Sequence, residues 1–128
     1  MNAKVAEWLD RAQADLIAVE LLLNFDEFPT AIAAFHCQQV VEKSLKAFLT
    51  ARDIDFLFRH NLPYLLDLCS DADPAFADLE SYISGLTPYA VEARYPSDLP
   101  LNPSVEEVKA FYQQAQAVLE FVRRKLED

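Results

Sequence analysis

Residues 31–50, AIAAFHCQQVVEKSLKAFLT, constrain the fold more than any other part of the chain. Apolar side chains recur there at steps of three or four, the spacing that places them on one face of an α-helix. This apolar stripe consists of Ala34, Cys37, Val41, Leu45 and Phe48. A second line on the same helix is polar and consists of His36, Gln39, Lys43 and Lys46, with Glu42 beside it. A long helix with both faces is typical of the centre of a helical bundle.

The composition favours an all-α fold. The chain has 128 residues, of which 52% are hydrophobic, so it is long enough and apolar enough to bury a core as one domain. It contains a single glycine, against a usual share of about 7%. A β-sandwich or barrel with many tight turns needs more glycine than that. We therefore predict that residues 1–128 form one all-α domain.

Hydrophobic periodicity predicts three long helices, at about Ala3–Leu23, Pro29–Arg52 and from Ser104 to the end of the chain. Ser104 with Glu107 forms a capping-box pattern, which is typical of a helix start. The first two helices are joined by a short loop, which favours antiparallel neighbours. The fold class that we predict is an up-and-down antiparallel helical bundle with three long helices and two or three short ones.

The short helices are predicted from cap-and-proline patterns. Asn61, Asp73 and Thr87 each precede a proline by one or two residues, which predicts helices over 62–70, from 74 to about 85, and from 88. We expect the aromatic connection before them, Phe56 to Phe58, to fold back onto the bundle. The proline-rich segment 94–104 is predicted to be an extended loop.

The charge limits the classes of partner. With a formal net charge of −10 at pH 7, the chain lacks the clustered Lys and Arg that double-stranded DNA or an anionic membrane attracts. No apolar run approaches the roughly 20 residues that span a bilayer, and the N-terminus has no signal-peptide pattern. Cys37 and Cys69 have apolar neighbours and no zinc-site spacing, which favours buried thiols. We predict a cytoplasmic protein without metal or cofactor.

Three segments carry polar residues that could bind a ligand. On the central helix, Lys43 and Lys46 lie three residues apart, and ammonium groups at that spacing suit a phosphate. The ordinary alternatives are a solvated face or an ion pair of Lys46 with Glu42, four residues away. His60 follows Arg59 directly before a helix start. A lone histidine there bonds a backbone carbonyl more often than it acts as an acid or base.

The third segment is Arg94-Tyr95-Pro96. Pro96 restricts Tyr95 to extended geometry, so both side chains before it stand on a stiffened stretch of backbone. Arginine is the residue best suited to bidentate phosphate contact. The alternative is that Arg94 forms an ion pair with a neighbouring acid such as Glu92.

The chain resembles the HEPN family of small helical domains. Its HCQQVVEKSLKAFL, then RHNL at 59–62 and EARYP at 92–96, are similar to the family's motifs in the family's order. The resemblance implies a short helical bundle, usually a homodimer. Many members are encoded beside a small nucleotidyltransferase, and others are metal-independent ribonucleases. It also implies a ligand-binding set: Gln39, Glu42, Lys43, Lys46, His60, Arg94 and Tyr95.

The ribonuclease signature of that family is incomplete here. Ribonuclease members carry an Arg and a His more closely spaced on one helix, whereas seven residues separate Arg52 from His60 and Arg59 is adjacent to it. We therefore predict a homodimeric, non-catalytic HEPN module that binds a nucleotide and partners a separate nucleotidyltransferase, as in two-component or toxin–antitoxin systems. The alternatives are a ribonuclease that uses His60 with Arg59 or Arg94, and a purely structural dimerisation protein.

Overall fold

A computed structural model describes residues 2–90 and 102–127 of the chain. Within these ranges the helices are α1 (Ala3–Leu22), α2 (Thr30–Ala51), α3 (Leu62–Ala72), the one-turn α4 (Glu80–Ile83) and α5 (Val105–Glu127). Two 3₁₀ helices, Pro74–Leu79 and Ser84–Tyr89, flank α4. The described ranges contain no strand, and the all-α prediction is confirmed. None of the helices described is long and apolar enough to cross a bilayer.

Helix α2 lies at the centre of the bundle and packs against α1, α3, α5 and the second 3₁₀ helix. Side-chain contacts fix the directions of the long helices. Trp8 and Asp15 of α1 lie against Lys46 and Lys43 of α2, so these helices run antiparallel. Residues Gln13 and Glu20 of α1 bond to Arg123 and Tyr112 of α5, which again makes the pair antiparallel. The predicted up-and-down arrangement is therefore confirmed.

The predicted apolar stripe of α2 forms the middle of the core, and all five of its side chains are at most 1% exposed. The Phe48 ring centroid lies 4.3 Å from that of Phe76, and Phe76 meets Phe121 of α5 edge-on at 5.0 Å. Aromatic pairs at these separations add to the stabilisation that area burial gives. The first 3₁₀ helix, which carries Phe76, thus closes the core between α2 and α5.

The two cysteines are buried free thiols, as predicted. Burial in apolar surroundings disfavours the thiolate and raises the pKa of Cys37 and of Cys69 to about 12. A thiol that stays protonated is a poor nucleophile and a poor metal ligand. Both cysteines therefore serve the packing of the core.

Three predicted helix starts have the expected caps. The Asn61 side chain accepts from the Tyr64 backbone N–H at 3.1 Å, and Asp73 accepts from that of Ala75 at 3.0 Å. Ser104 and Glu107 exchange both capping-box bonds at 3.0 Å. Each cap satisfies backbone donors that the first helical turn would otherwise leave unpaired.

The predicted helix from Pro74 to about Gly85 is wrong in detail, because the chain forms 3₁₀, α and 3₁₀ turns in succession. A new helix start at Pro88 is also wrong, since Pro88 lies inside the second 3₁₀ helix. The physical reason is the spacing of the apolar residues. Side chains three apart eclipse one another in a 3₁₀ helix, and the buried residues here fall at that step: Phe76 and Leu79, then Ile83, Leu86 and Tyr89.

The segment after α2 departs from prediction as well. Phe56 packs against the core, but Leu57 is exposed and Phe58 is 95% exposed. Two hydrogen bonds shape this turn: the Leu57 N–H donates to the Tyr64 hydroxyl at 3.0 Å, and the Arg59 N–H donates to the Leu57 carbonyl at 2.8 Å. The turn directs the Phe58 ring away from the bundle.

Candidate functional site

The carboxylate of Glu42 is the centre of a polar group on α2, here called the Glu42 cluster, which consists of Gln38, Gln39, Glu42, Lys46 and His60. Glu42 is 2% exposed. Its Oε2 accepts from Lys46 Nζ at 3.0 Å, and its Oε1 accepts from Gln38 Nε2 at 3.3 Å and bonds His60 Nδ1 at 2.9 Å. Gln39 extends the network by donating to Gln38 Oε1 at 2.7 Å. Each member is thus tied, directly or through Gln38, to one carboxylate.

Local sequence explains why these groups meet. Residues 38, 42 and 46 are four apart, which places their side chains in one row along the helix. His60 comes from outside α2: the backbone turns back after the helix, with the Ile54 N–H donating to the Leu49 carbonyl at 2.9 Å. The imidazole then covers the Glu42 carboxylate while 57% of the His60 side chain stays exposed.

The geometry defines the tautomer of His60. An ionised carboxylate can only accept hydrogen bonds, so the Nδ1 that bonds Glu42 carries the proton. The Nε2 of the ring is the nitrogen left for a second partner. Glu42 therefore acts on His60 as an orienting group, in the way that carboxylates orient histidines in other polar sites.

The ammonium of Lys46 is enclosed, since the residue is only 4% exposed. Its Nζ lies 5.4 Å from the centroid of the Trp8 ring and 5.7 Å from that of Phe56, besides its bond to Glu42. Removing a charge from water is costly unless it is paired and hydrogen-bonded, and here the carboxylate and two aromatic faces compensate. The charge of Lys46 is therefore used inside the fold.

A second carboxylate on α1 has a similar arrangement, and its three members form the Asp15 cluster: Asp15, His36 and Lys43. Asp15 Oδ2 accepts from Lys43 Nζ at 2.6 Å, and Oδ1 bonds His36 Nδ1 at 2.8 Å. This cluster joins α1 to α2 at a partly buried position. Lys43 and Lys46 thus contact different carboxylates, and the two ammonium groups do not converge as a phosphate clamp would require.

Of the seven predicted ligand-binding residues, the structure brings four together, namely Gln39, Glu42, Lys46 and His60. Lys43 belongs to the Asp15 cluster. Arg94 and Tyr95 lie outside the described residues. The Arg59 of the alternative catalytic pair has its guanidinium 5.9 Å from the Tyr64 ring centroid, and in the described chain it makes no bond to His60.

Two members of these clusters were missed at the level of sequence. Gln38 stands four residues before Glu42 and eight before Lys46, so helical spacing alone could have assigned it. Asp15 is separated from Lys43 by 28 positions. Nothing in the local pattern links two residues so far apart, and only the packing of α1 on α2 shows the contact.

Neither cluster is arranged as a metal site. Across residues 2–90 and 102–127, no three His, Cys, Asp or Glu side chains gather in a way that could hold an ion. In both clusters a lysine ammonium bonds one carboxylate oxygen and a histidine bonds the other. What the arrangement offers chemically is a held histidine whose Nε2 could exchange a proton or a hydrogen bond with a ligand.

Beside the Glu42 cluster is a cleft of about 800 Å³, here called the Trp8 cleft. Its lining combines aromatic and charged side chains with a few polar and aliphatic ones: Trp8, Phe56, Phe58, Lys4, Arg11, Lys43, Glu7, Asp53, Asp55, Asn2, Thr50 and Ile54. Trp8 and Phe56 are the same rings that lie close to the Lys46 ammonium. The cleft and the cluster therefore share these two aromatic side chains as neighbours.

Comparison with known proteins gives a consistent assignment. The family model of the HEPN domain matches residues 5–125. The crystal structure of an archaeal HEPN homologue matches this fold with a TM-score of 0.75, at 21% identity, over 98% of this chain and 99% of that one. No curated protein matches the sequence significantly. The structural match, at this identity, concerns the fold.

Proposed function

This chain belongs to the HEPN domain family, and on that premise we propose that it is a non-catalytic module that binds a nucleotide and partners a separate small nucleotidyltransferase. The arrangement would be a two-component system of the toxin–antitoxin type. The observation that carries the non-catalytic part is the enclosure of Lys46, which is 4% exposed and bonded to Glu42. A cation enclosed in this way is not accessible to the phosphate of an RNA.

Cleavage of RNA without a metal requires a base, an acid and a cation within reach of one phosphate. His60 is the one titratable group of the Glu42 cluster with a large exposed fraction. Within the described residues its neighbour Arg59 lies over Tyr64, and Lys46 is engaged by Glu42. In residues 2–90 and 102–127, both of these cations are thus engaged elsewhere, which supports binding rather than catalysis.

For ligand binding we assign roles to the seven residues of the sequence motif. His60, Arg94 and Tyr95 would contact the nucleotide, Gln39, Glu42 and Lys46 would hold His60 in position, and Lys43 would stay bonded to Asp15. The bonds of the Glu42 cluster support the positioning role. With a net charge of −10 on the chain, we expect phosphate binding to be weak and strongly reduced by salt.

We also propose a homodimer. Support comes from large apolar side chains that the fold leaves exposed at one end of the α1–α2 pair: Ile17, Leu21, Phe25 and Ile32. Exposed apolar side chains in such numbers are typical of association surfaces. Because most of α2 is enclosed within one copy, this surface is a better candidate for the dimer contact than the rest of α2.

Ligand-observed NMR with AMP and ATP at low salt tests the nucleotide part. The wild type should show weak binding that added salt removes, and His60→Ala and Arg94→Ala should each reduce it. Lys109→Ala is the matched control, since Lys109 is an exposed cation whose ion pair in the described part of the chain is with Glu106. Absence of binding by the wild type, or equal loss in the control, would contradict the proposed nucleotide site.

Co-expression tests the partner part. A nucleotidyltransferase encoded beside this chain should co-purify with it at a fixed stoichiometry after two chromatographic steps. A neighbouring nucleotidyltransferase that elutes separately from this chain at micromolar concentrations would contradict the proposed partnership.

A further inference from the structure

We propose that the Trp8 cleft is a docking site for an arginine-bearing segment of a partner protein. The inference rests on the proposed function only in that the chain works with a protein partner, and it concerns a surface distinct from the proposed nucleotide contact at His60. The residues that carry it are Trp8, Phe56 and Phe58 on the aromatic side, and Asp53 and Asp55 on the acidic side.

The first observation is the presentation of Phe58. The ring is 95% exposed, although its backbone is held by the bonds of Leu57 to Tyr64 and of Arg59 to Leu57. A large apolar ring that is exposed to water forfeits the stabilisation that burial would give. Together with Trp8 and Phe56 it forms a group of three aromatic side chains along one cleft, and aromatic side chains grouped in this way are typical of a binding surface.

The second observation is the balance of charge in the lining, which holds three cations and three acids. Arg11 is paired with Glu7 at 3.0 Å, and Lys43 is paired with Asp15. Among the described residues, Asp53 and Asp55 make no side-chain ion pair or hydrogen bond. Of the three lining cations, Lys4 is the only one that also makes none within these residues. The unpaired charge of the cleft is therefore negative, which disfavours a phosphate and favours a cation.

The third observation is that the aromatic wall already stabilises a cation. The Lys46 ammonium lies 5.4 Å from the centroid of the Trp8 ring and 5.7 Å from that of the Phe56 ring. Rings of this kind attract cations through their electron-rich faces. A guanidinium suits the lining of the cleft better than an ammonium, because its plane can stack on Phe58 while its N–H groups donate to a carboxylate.

Fluorescence of Trp8 is a direct test, because the chain has one tryptophan and it lines the cleft. The full chain would be titrated with the peptide acetyl-Gly-Arg-Leu-Arg-Gly-amide, and with matched peptides in which lysine or glutamine replaces both arginines. We expect a saturable change with the arginine peptide, binding about tenfold weaker with lysine, and no saturable change with glutamine.

Variants locate the binding. Asp53→Asn/Asp55→Asn and Phe58→Ala should each weaken binding of the arginine peptide by about tenfold or more. All three positions are exposed or at the rim, so the variants should fold, which the helical circular dichroism signal checks. Asp67→Asn/Asp71→Asn, on exposed positions of α3, removes the same charge outside the cleft lining and should leave binding unchanged.

Three results would overturn the inference. The first is a fluorescence response to the glutamine peptide equal to that with the arginine peptide. The second is a loss of binding in Asp67→Asn/Asp71→Asn equal to that in Asp53→Asn/Asp55→Asn. The third is competition of AMP with the arginine peptide for the cleft. Failure of the proposed nucleotide site is separate, since it would remove the NMR signal of bound AMP without affecting the peptide titration.

Discussion

Replacing Glu42 by glutamine is the perturbation whose effect follows most fully from the structure. The variant keeps the shape of the side chain but removes the charge that Lys46 and His60 bond. Lys46 would keep its ammonium at a position that is 4% exposed. Breaking a buried ion pair by removing one partner costs about 3–5 kcal/mol, because the remaining charge is uncompensated. We expect the free energy of unfolding of Glu42→Gln to fall by that amount.

The size of this loss can be measured by urea unfolding followed through the helical circular dichroism signal. With a denaturant slope of about 2 kcal/mol/M, the midpoint should move down by roughly 2 M. The matched control is Glu106→Gln, since Glu106 pairs with Lys109 at an exposed position and such pairs contribute about 0–1 kcal/mol. The urea midpoint of this control should be close to that of the wild type.

A double variant isolates the cause. Glu42→Gln/Lys46→Met leaves no uncompensated charge, so it should recover more than half of the lost free energy of unfolding. A loss below about 1 kcal/mol for Glu42→Gln, or a double variant no more stable than the single one, would refute the reasoning that Lys46 depends on this carboxylate.

Three further predictions concern packing, pH and association. Phe48→Ala should lower the free energy of unfolding by about 3–5 kcal/mol and Phe58→Ala by under about 0.5, because only the first ring is buried; similar losses in urea would contradict the assignment of the core. Burial raises the pKa of Cys37 and Cys69 to about 12, so their thiols bind protons more tightly in the folded chain than in the unfolded chain. The stability that they contribute is present below pH about 8.5 and falls as pH rises toward 12. The free energy of unfolding should therefore fall less over this pH range in Cys37→Ala/Cys69→Ala than in the wild type. An equal fall in both proteins would contradict this contribution of the thiols. Sedimentation at micromolar concentration should show a dimer that Leu21→Glu dissociates, whereas 14.5 kDa species alone in the wild type would exclude one.

The parts of the fold that could be predicted from sequence are those in which local spacing decides the structure. The apolar stripe of α2 repeats at helical steps through Val41, Leu45 and Phe48, and no other element allows that pattern. The helix type between Pro74 and Tyr89 is harder to predict, because apolar residues recur there at steps of three and of four. Such mixed spacing suits 3₁₀ and α turns about equally well. The exposure of Phe58 depends on a hydrogen bond to Tyr64, seven residues away from Leu57, which no hydrophobic pattern encodes.

The candidate site shows the same division. The bond between Glu42 and Lys46 is a four-residue helical pair, so spacing alone suggests it. The partner of Lys43 is Asp15 on another helix, and that contact follows from the angle at which α1 packs on α2. Spacing therefore predicts which residues of α2 share a row, but it cannot tell which of two neighbouring lysines a distant acid will pair with.

Incubation of the purified chain with single-stranded RNA in the presence of a chelator distinguishes a non-catalytic module from a ribonuclease. Wild type and His60→Ala would be compared at equal concentration, with the fraction of intact RNA followed over hours. Because Lys46 is enclosed and bonded to Glu42, we expect no cleavage by the wild type above the level of His60→Ala. Cleavage by the wild type that disappears in His60→Ala would contradict it and establish the chain as a ribonuclease.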